Sequence, residues 1–233
     1  MVHLVPVLFC TFCTNGAGSL LYIIGGKSML KEIDINCHSS IKISKEKIIY
    51  VDPFKIENEI HDADIILITH DHYDHYSPED IDKIIKNDTI IIAPKTVKAL
   101  SKMKNTVLVE PNKKYEVKGI KIETIASYNI NKQFHPKENE WVGYIIEIKG
   151  VRYYIAGDTD IVTENKQIKC DVALVPVGGT YTMNYKEAAE LVNIIKPKIV
   201  IPTHYGSIVG EKDDGIKFKH LLHSNIECEI LLK

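Results

Sequence analysis

The run DIILITH at residues 64–70 is almost continuously apolar after its leading aspartate. A strand of that kind is covered on both faces and belongs in the middle of a sheet with layers above and below it. Immediately behind it, His70, Asp71, His72, Asp74 and His75 fall within six positions. Titratable side chains drawn into a protein without a partner are costly. Imidazole and carboxylate share one natural partner, a divalent cation, and the mixture suits zinc, manganese or iron better than calcium.

Around this feature the chain alternates short β-rich runs with helical stretches. KIIYVD ends at a turn beginning Asp52-Pro53. Ser77-Pro78-Glu79-Asp80 reads as a helix start, with Ser77 capping, Pro78 in the first helical position and Asp80 placed to reach back. Residues 96–102 read as a short helix and Lys149-Gly150 as the turn of a hairpin. Asn184 and Glu187 form a capping box for a helix that stops before Pro197, and a helix over 213–222 and a strand over 227–232 close the chain. The expectation is one α/β domain over residues 31–233, preceded by a poorly defined N-terminal extension, residues 1–30. That extension is apolar, but Thr14-Asn15-Gly16 interrupts it, so neither a membrane span nor membrane contact is expected. Cys10-x-x-Cys13 lacks the second pair that a zinc knuckle needs.

Residues two apart in extended chain point the same way. His70 and His72 can therefore share one ion, while Asp74 and His75 can turn to a second nearby. Further ligands have to come from other strand ends. Asp158 in YYIAGDTD and His204 in IVIPTHYG each follow an apolar strand, and His135 lies in a long polar stretch between strands. Gly157 would let the backbone pass close to the ions. Gly178-Gly179-Thr180 lacks the Gly-Lys-Ser/Thr of a nucleotide phosphate loop and reads as a tight turn.

THDHYDH matches the H-x-H-x-D-H signature of the metallo-β-lactamase superfamily. INCHSSIKI, VDPF, AGDTD, PVGGTYTM and IPTHYG also resemble blocks of its small stand-alone members, including the ascorbate-phosphate-lactonase-like group. The resemblance covers about residues 32–232 and implies a four-layer αβ/βα sandwich with two divalent metal ions, zinc first among them, at one edge. It puts His70 and His72 on the first ion, Asp74, His75 and His204 on the second, and Asp158 between them. Members of the group often have a histidine where His38 stands. Where a further first-site histidine would be expected this chain has Tyr128 and Asn129, and His135 is the available substitute.

The activity so implied is hydrolysis of a small-molecule ester, lactone or phosphoester by metal-activated hydroxide. Asp74 or Asp158 would orient the water, and His204, the metals or an added water would help protonate the leaving group. The alternative is a metal-stabilised binding or scaffolding protein without turnover. Tyr73, Tyr76, Tyr128, Tyr181 and Tyr205 beside the motifs could meet substrate or simply pack, and Lys132 and Lys137 could attract an anion or stay in solvent. A net charge of -2 argues against a nucleic-acid partner. Five scattered cysteines fit a reducing, cytoplasmic setting, and a homo-oligomer stays open.

Overall fold

The computed structural model describes residues 31–232, so the extension over 1–30, with Cys10 and Cys13, lies outside the described residues. One sheet is built from β1 (Ile33–Cys37), β2 (Ser40–Ser44), β3 (Ile48–Val51), β4 (Ile65–Leu67), β5 (Ile90–Pro94) and β6 (Thr106–Val109), side by side in that order. β1 to β3 are antiparallel and β3 to β6 parallel. The other sheet holds β7 (Lys114–Val117), β8 (Ile120–Ala126), β9 (Val142–Ile148), β10 (Val151–Ile155), β11 (Val172–Pro176), β12 (Ile199–Thr203) and β13 (Glu227–Cys228), again in chain order. Here β7 to β10 are antiparallel and β10 to β13 parallel.

Side-chain alternation assigns the layers. Tyr50, Ile66, Ile68, Ile91 and Ala93 pack with Ile81 and Ile84 of α1 (Pro78–Ile84). Their strand neighbours Ile49, Ile65, Leu67 and Ile92 are equally buried but point to the opposite face. In the second sheet Tyr154, Ala173, Val175 and Val200 pack with Ala188, Leu191 and Val192 of α2 (Tyr185–Ile195), while Tyr153, Ile155, Leu174 and Ile201 point away from it. The faces turned from the helices meet each other: the Tyr144 hydroxyl of β9 donates to the Ile68 carbonyl beyond β4 at 2.7 Å. The result is the expected αβ/βα sandwich. Each fully buried isoleucine between the sheets contributes roughly 1.5–3 kcal/mol.

Local signals hold at both main helices. Ser77 accepts from Asp80 N at 3.3 Å, and Asn184 and Glu187 bond each other's backbone amides at 3.1 and 2.9 Å. Asp80 departs from expectation. Its carboxylate accepts from Lys55 N and Ile56 N, both at 2.9 Å, and so pins the loop after β3 rather than the helix start. Lys149 and Gly150 both take positive φ, 52° and 74°, and turn the β9–β10 hairpin. The stretch over 96–102 forms only a 3₁₀ turn, Lys98–Lys102. The last helix is shorter than expected, at Asp214–Lys219 (α3), and so is the last strand, Glu227–Cys228, which pairs with β12 only through Ile199 and Val200.

Strand direction decides which loops become neighbours. β1, β3 and β4 run the same way in the first sheet, as do β8, β10 and β12 in the second. Their C-terminal ends therefore share one rim of each sheet.

Candidate metal centre

That rim delivers the polar side chains. His38 occupies the turn after β1, Asp52 follows β3 and His204 follows β12; all three hold left-handed backbone, with φ of 56°, 45° and 58°. Such a conformation costs an L-residue roughly 1–2 kcal/mol, so neighbours must hold it. His204 N donates to the His38 carbonyl at 3.0 Å, and Asp52 N to the Leu67 carbonyl at 3.0 Å. Gly157, at φ 63°, packs where a Cβ would come within 3.2 Å of Thr69, so it serves a close approach between the two rims.

Seven side chains converge there with His38. His70, His72 and His135 form one group with donor atoms within 4.8 Å of one another; His38, Asp74, His75 and His204 form a second; and His70, His75 and Asp158 join the two. Asp158 spans them, with Oδ2 3.2 Å from His135 Nε2 and 3.0 Å from His204 Nε2, and Oδ1 3.4 Å from His75 Nε2. His70 Nε2 lies 3.1 Å from His72 Nδ1, and Asp74 Oδ2 lies 3.2 Å from His38 Nε2. Donors held at ~2.0–2.1 Å by one tetrahedral ion sit roughly 3.3 Å apart, so these separations fit shared cations. The Nε2 atoms of His75, His135 and His204, both nitrogens of His38 and Asp158 Oδ1 are buried without a hydrogen-bond partner. Orphaned donors of this kind, aimed at each other, are what a metal would satisfy.

An outer ring of hydrogen bonds aims the imidazoles. Asp52 accepts from Thr69 N at 2.8 Å, from the Thr69 hydroxyl at 2.6 Å and from His75 Nδ1 at 2.7 Å. With its proton given to Asp52, the Thr69 oxygen accepts from His70 Nδ1 at 3.0 Å. Asn129 Nδ2 donates to the Tyr181 carbonyl at 2.9 Å, which leaves Oδ1 to accept from His135 N and His135 Nδ1, both at 3.0 Å. His70, His75 and His135 thus each turn Nε2 inward. Trp141 walls the first group, its ring 4.9 Å from those of His70 and His72.

The electrostatics follow from crowding. Burial pushes His38 down to about 4 against the pull of Asp74. Burial, joined by His75, holds His70 well below the usual histidine range, and burial with His135 lowers His72. Burial also opposes charge on His75, but Asp158 and Asp52 outweigh it and raise that imidazole well above its ordinary value. Burial would raise both carboxylates. His38, His75 and His204 overcome it at Asp74, which falls to about 2, and His204 and His75 lead in overcoming it at Asp158, which falls well below the carboxylate range. The site is rich in neutral nitrogen and ionised carboxylate, the forms that bind metal.

Every residue expected from the sequence, His70, His72, Asp74, His75, His135, Asp158 and His204, lies in this cluster. The sequence marks His38 only as a common feature of the first strand pair, and it sits inside the second group. Asp52, Thr69 and Asn129 carry no sequence signal as positioning residues. Asn129 reads in sequence as a missing ligand, yet it orients His135.

A family model described as a beta-lactamase superfamily domain matches residues 32–204. The chain belongs to the metallo-β-lactamase superfamily. It is 32% identical over 218 residues to a UPF0173 metal-dependent hydrolase of Thermococcus onnurineus, covering 83% of this chain and 93% of that one. A crystal structure from Parabacteroides distasonis, classed as a metal-dependent hydrolase, superposes with a TM-score of 0.74 at 32% identity over 86% of this chain and 93% of its own. A metallo hydrolase of Ignicoccus hospitalis shares the fold at 21% identity, with a TM-score of 0.70 over 86% of this chain and 94% of its own. The clustered His and Asp side chains at the rim are those typical of metallo-β-lactamase-fold hydrolases.

In this superfamily member a cavity of about 200 Å³ opens onto the cluster, lined by His72, Asp74, His135 and Asp158 below and by Tyr73, Phe134, Tyr181 and Ile208 above. A larger groove of about 640 Å³ runs past Glu123, Arg152 and Glu164 but includes none of the clustered residues. Of the tyrosines beside the motifs, Tyr73 and Tyr181 reach the mouth, while Tyr128 bonds Glu164 at 3.0 Å and Tyr205 is buried against Gly215. Among the described residues no helix is long and apolar enough to cross a membrane.

Proposed function

We propose that the chain is a metal-dependent hydrolase that cleaves a small-molecule ester, lactone or phosphoester with a pair of divalent ions, zinc foremost. The observation that carries this reading is Asp158, whose two oxygens reach both donor groups. In this reading His70, His72 and His135 hold one ion. Asp74, His75 and His204 hold the other, joined here by His38, and Asp158 is shared. Bound divalent ions would bring the pKa of water toward neutrality and stabilise negative charge growing on a substrate oxygen.

The remaining work falls to the chain. Asp74 lines the mouth, where its ionised carboxylate can accept a hydrogen bond from the attacking water and set its direction. Asp158, at the floor of the same cavity, holds the two donor groups in register. His204, buried and outside the lining of that cavity, serves in this reading as a ligand of the second ion rather than as the proton donor expected from the sequence. Residues 31–233 form the hydrolase domain in this reading, the setting is cytoplasmic, and a homo-oligomer remains compatible with it.

The test is a substrate panel of lactones, carboxyl esters, phosphodiesters and phosphomonoesters, run on protein loaded with zinc or manganese. Elemental analysis should find two equivalents of metal. At least one class should be turned over, and Asp74→Asn should lower that turnover by at least a hundredfold. Two bound ions with no turnover of any class would instead support a metal-stabilised binding protein.

A further inference from the structure

We infer that the mouth of the metal centre selects an uncharged lactone or carboxylic ester carrying a short apolar arm; this rests on the hydrolase reading and narrows it. The upper wall of the cavity is Tyr73, Phe134, Tyr181 and Ile208. Phe134 and Tyr181 meet edge to face with ring centroids 4.6 Å apart, which stiffens that wall. Tyr73 and Phe134 remain 67% and 47% exposed, a large apolar surface to leave at a catalytic mouth unless it is covered by substrate.

Charge points the same way. Among the described residues no lysine or arginine lines this cavity, and its two acidic residues, Asp74 and Asp158, are ligands in the hydrolase reading. The two lysines that flank His135 in sequence are turned elsewhere. Lys132 pairs closely with Asp160. Lys137 pairs with Glu164 at 3.2 Å and stands over the Tyr128 ring. A phosphate or carboxylate on the distal part of a substrate would lose its water against aromatic carbon with no cation to receive it. The ions would answer only charge developing at the scissile group. At about 200 Å³ the cavity is smaller than the ~300 Å³ lower bound of drug-sized sites, so the arm is short.

The reaction is the addition of water across the acyl C–O bond. The water oxygen bonds to the carbonyl carbon, the ring or ester C–O bond breaks, and the departing oxygen takes a proton, giving acid and alcohol. No oxidant or co-substrate is required.

The experiment compares three γ-lactones on the full-length, zinc-loaded protein: one with a methyl arm, one with a butyl arm, and one with a four-carbon arm ending in phosphate. Each methylene taken from water is worth about fourfold, so kcat/KM should rise about sixtyfold from methyl to butyl. It should be at least a hundredfold lower for the phosphate-ended arm than for butyl. Phe134→Ala and Ile208→Ala should flatten the methyl-to-butyl ratio below about tenfold, with circular dichroism and zinc content verifying that each variant folds and loads. A phosphate-ended lactone used as well as the butyl one, or a kcat/KM indifferent to arm length, overturns the inference. Inert lactones beside turnover of phosphoesters overturn the inference alone; if no class of substrate is turned over with two ions bound, the hydrolase reading fails by itself. Calorimetric binding then decides the mouth: tighter binding of the butyl lactone upholds its apolar selectivity, and tighter binding of the phosphate-ended one refutes it.

Discussion

Asp52 Oδ2 lies 2.7 Å from His75 Nδ1, with both side chains buried. The carboxylate holds His75 in the tautomer that turns Nε2 toward Asp74 and Asp158, and through Thr69 it also steadies His70. Replacing Asp52 with alanine should weaken zinc binding about 10- to 100-fold while leaving all eight clustered side chains present. Competition against a chelator of known affinity measures this directly, and wild-type affinity in the variant would refute the orienting role.

Asn129 does for His135 what Asp52 does for His75. Asn129→Ala removes the acceptor at 3.0 Å from His135 Nδ1, so the first donor group should lose about 10-fold or more in affinity while the second keeps its ion. Trp141, the single tryptophan of the chain, stands against the first group and gives a fluorescence readout confined to it.

Metal uptake should release protons in a predictable direction. His38 and His70 are already neutral near pH 7, whereas His75 is held protonated between Asp158 and Asp52. A cation binding at His75 Nε2 must displace that proton. Zinc titrations at pH 7 in buffers of different ionisation enthalpy should show net proton release, and His75→Gln should lower it. Release undiminished in the variant would place the proton elsewhere.

Away from the cluster, burial acts to raise Asp80, but Ser77, Lys83 and the amides of Ile56 and Lys55 outweigh it and hold its carboxyl below the ordinary 3.8. A group with a depressed folded pKa binds fewer protons folded than unfolded, so stability rises with pH across that interval. Its contribution is complete above about pH 4 and is lost as pH falls through the folded value. Urea unfolding should therefore show Asp80→Asn less stable than wild type at neutral pH, with the gap narrowing under acid. A gap constant with pH would rule out the charge as its cause.

Gly178 closes the turn beside His204. A Cβ built there would lie 2.2 Å from the His204 carbonyl oxygen. Gly178→Ala should cost roughly 1–3 kcal/mol as an overpacked contact and lower zinc stoichiometry by shifting the loop. Thermal melts and elemental analysis together would separate the two effects.

Much of the fold is legible in one dimension because its causes are local. The buried strand announces itself by the unbroken Ile65–Ile68 run, the helix starts by Ser77 and Asn184, and the hairpin by Lys149-Gly150. Most of the donor set is legible because its members follow an apolar strand, and strands running the same way bring such positions to one rim; His135, far along the loop after β8, carries no such signal. What escapes depends on partners distant in sequence. Lys132 and Lys137 look available to an anion until the loop after β10 supplies Asp160 and Glu164. Asn129 looks like a gap in the ligand set because its service to His135 exists only once the intervening loop folds back. The final strand is overestimated because apolar alternation cannot tell a paired residue from one that has run past the edge of its neighbour.

The bond from His204 N to the His38 carbonyl joins segments from near the two ends of the described chain. The second donor group needs both, so it cannot close until the nascent chain extends past His204, and capture of its ion is a late event in maturation. Occupancy of that group in a cell would then separate molecules folded through β12 from shorter or misfolded ones, giving quality control a chemical signature.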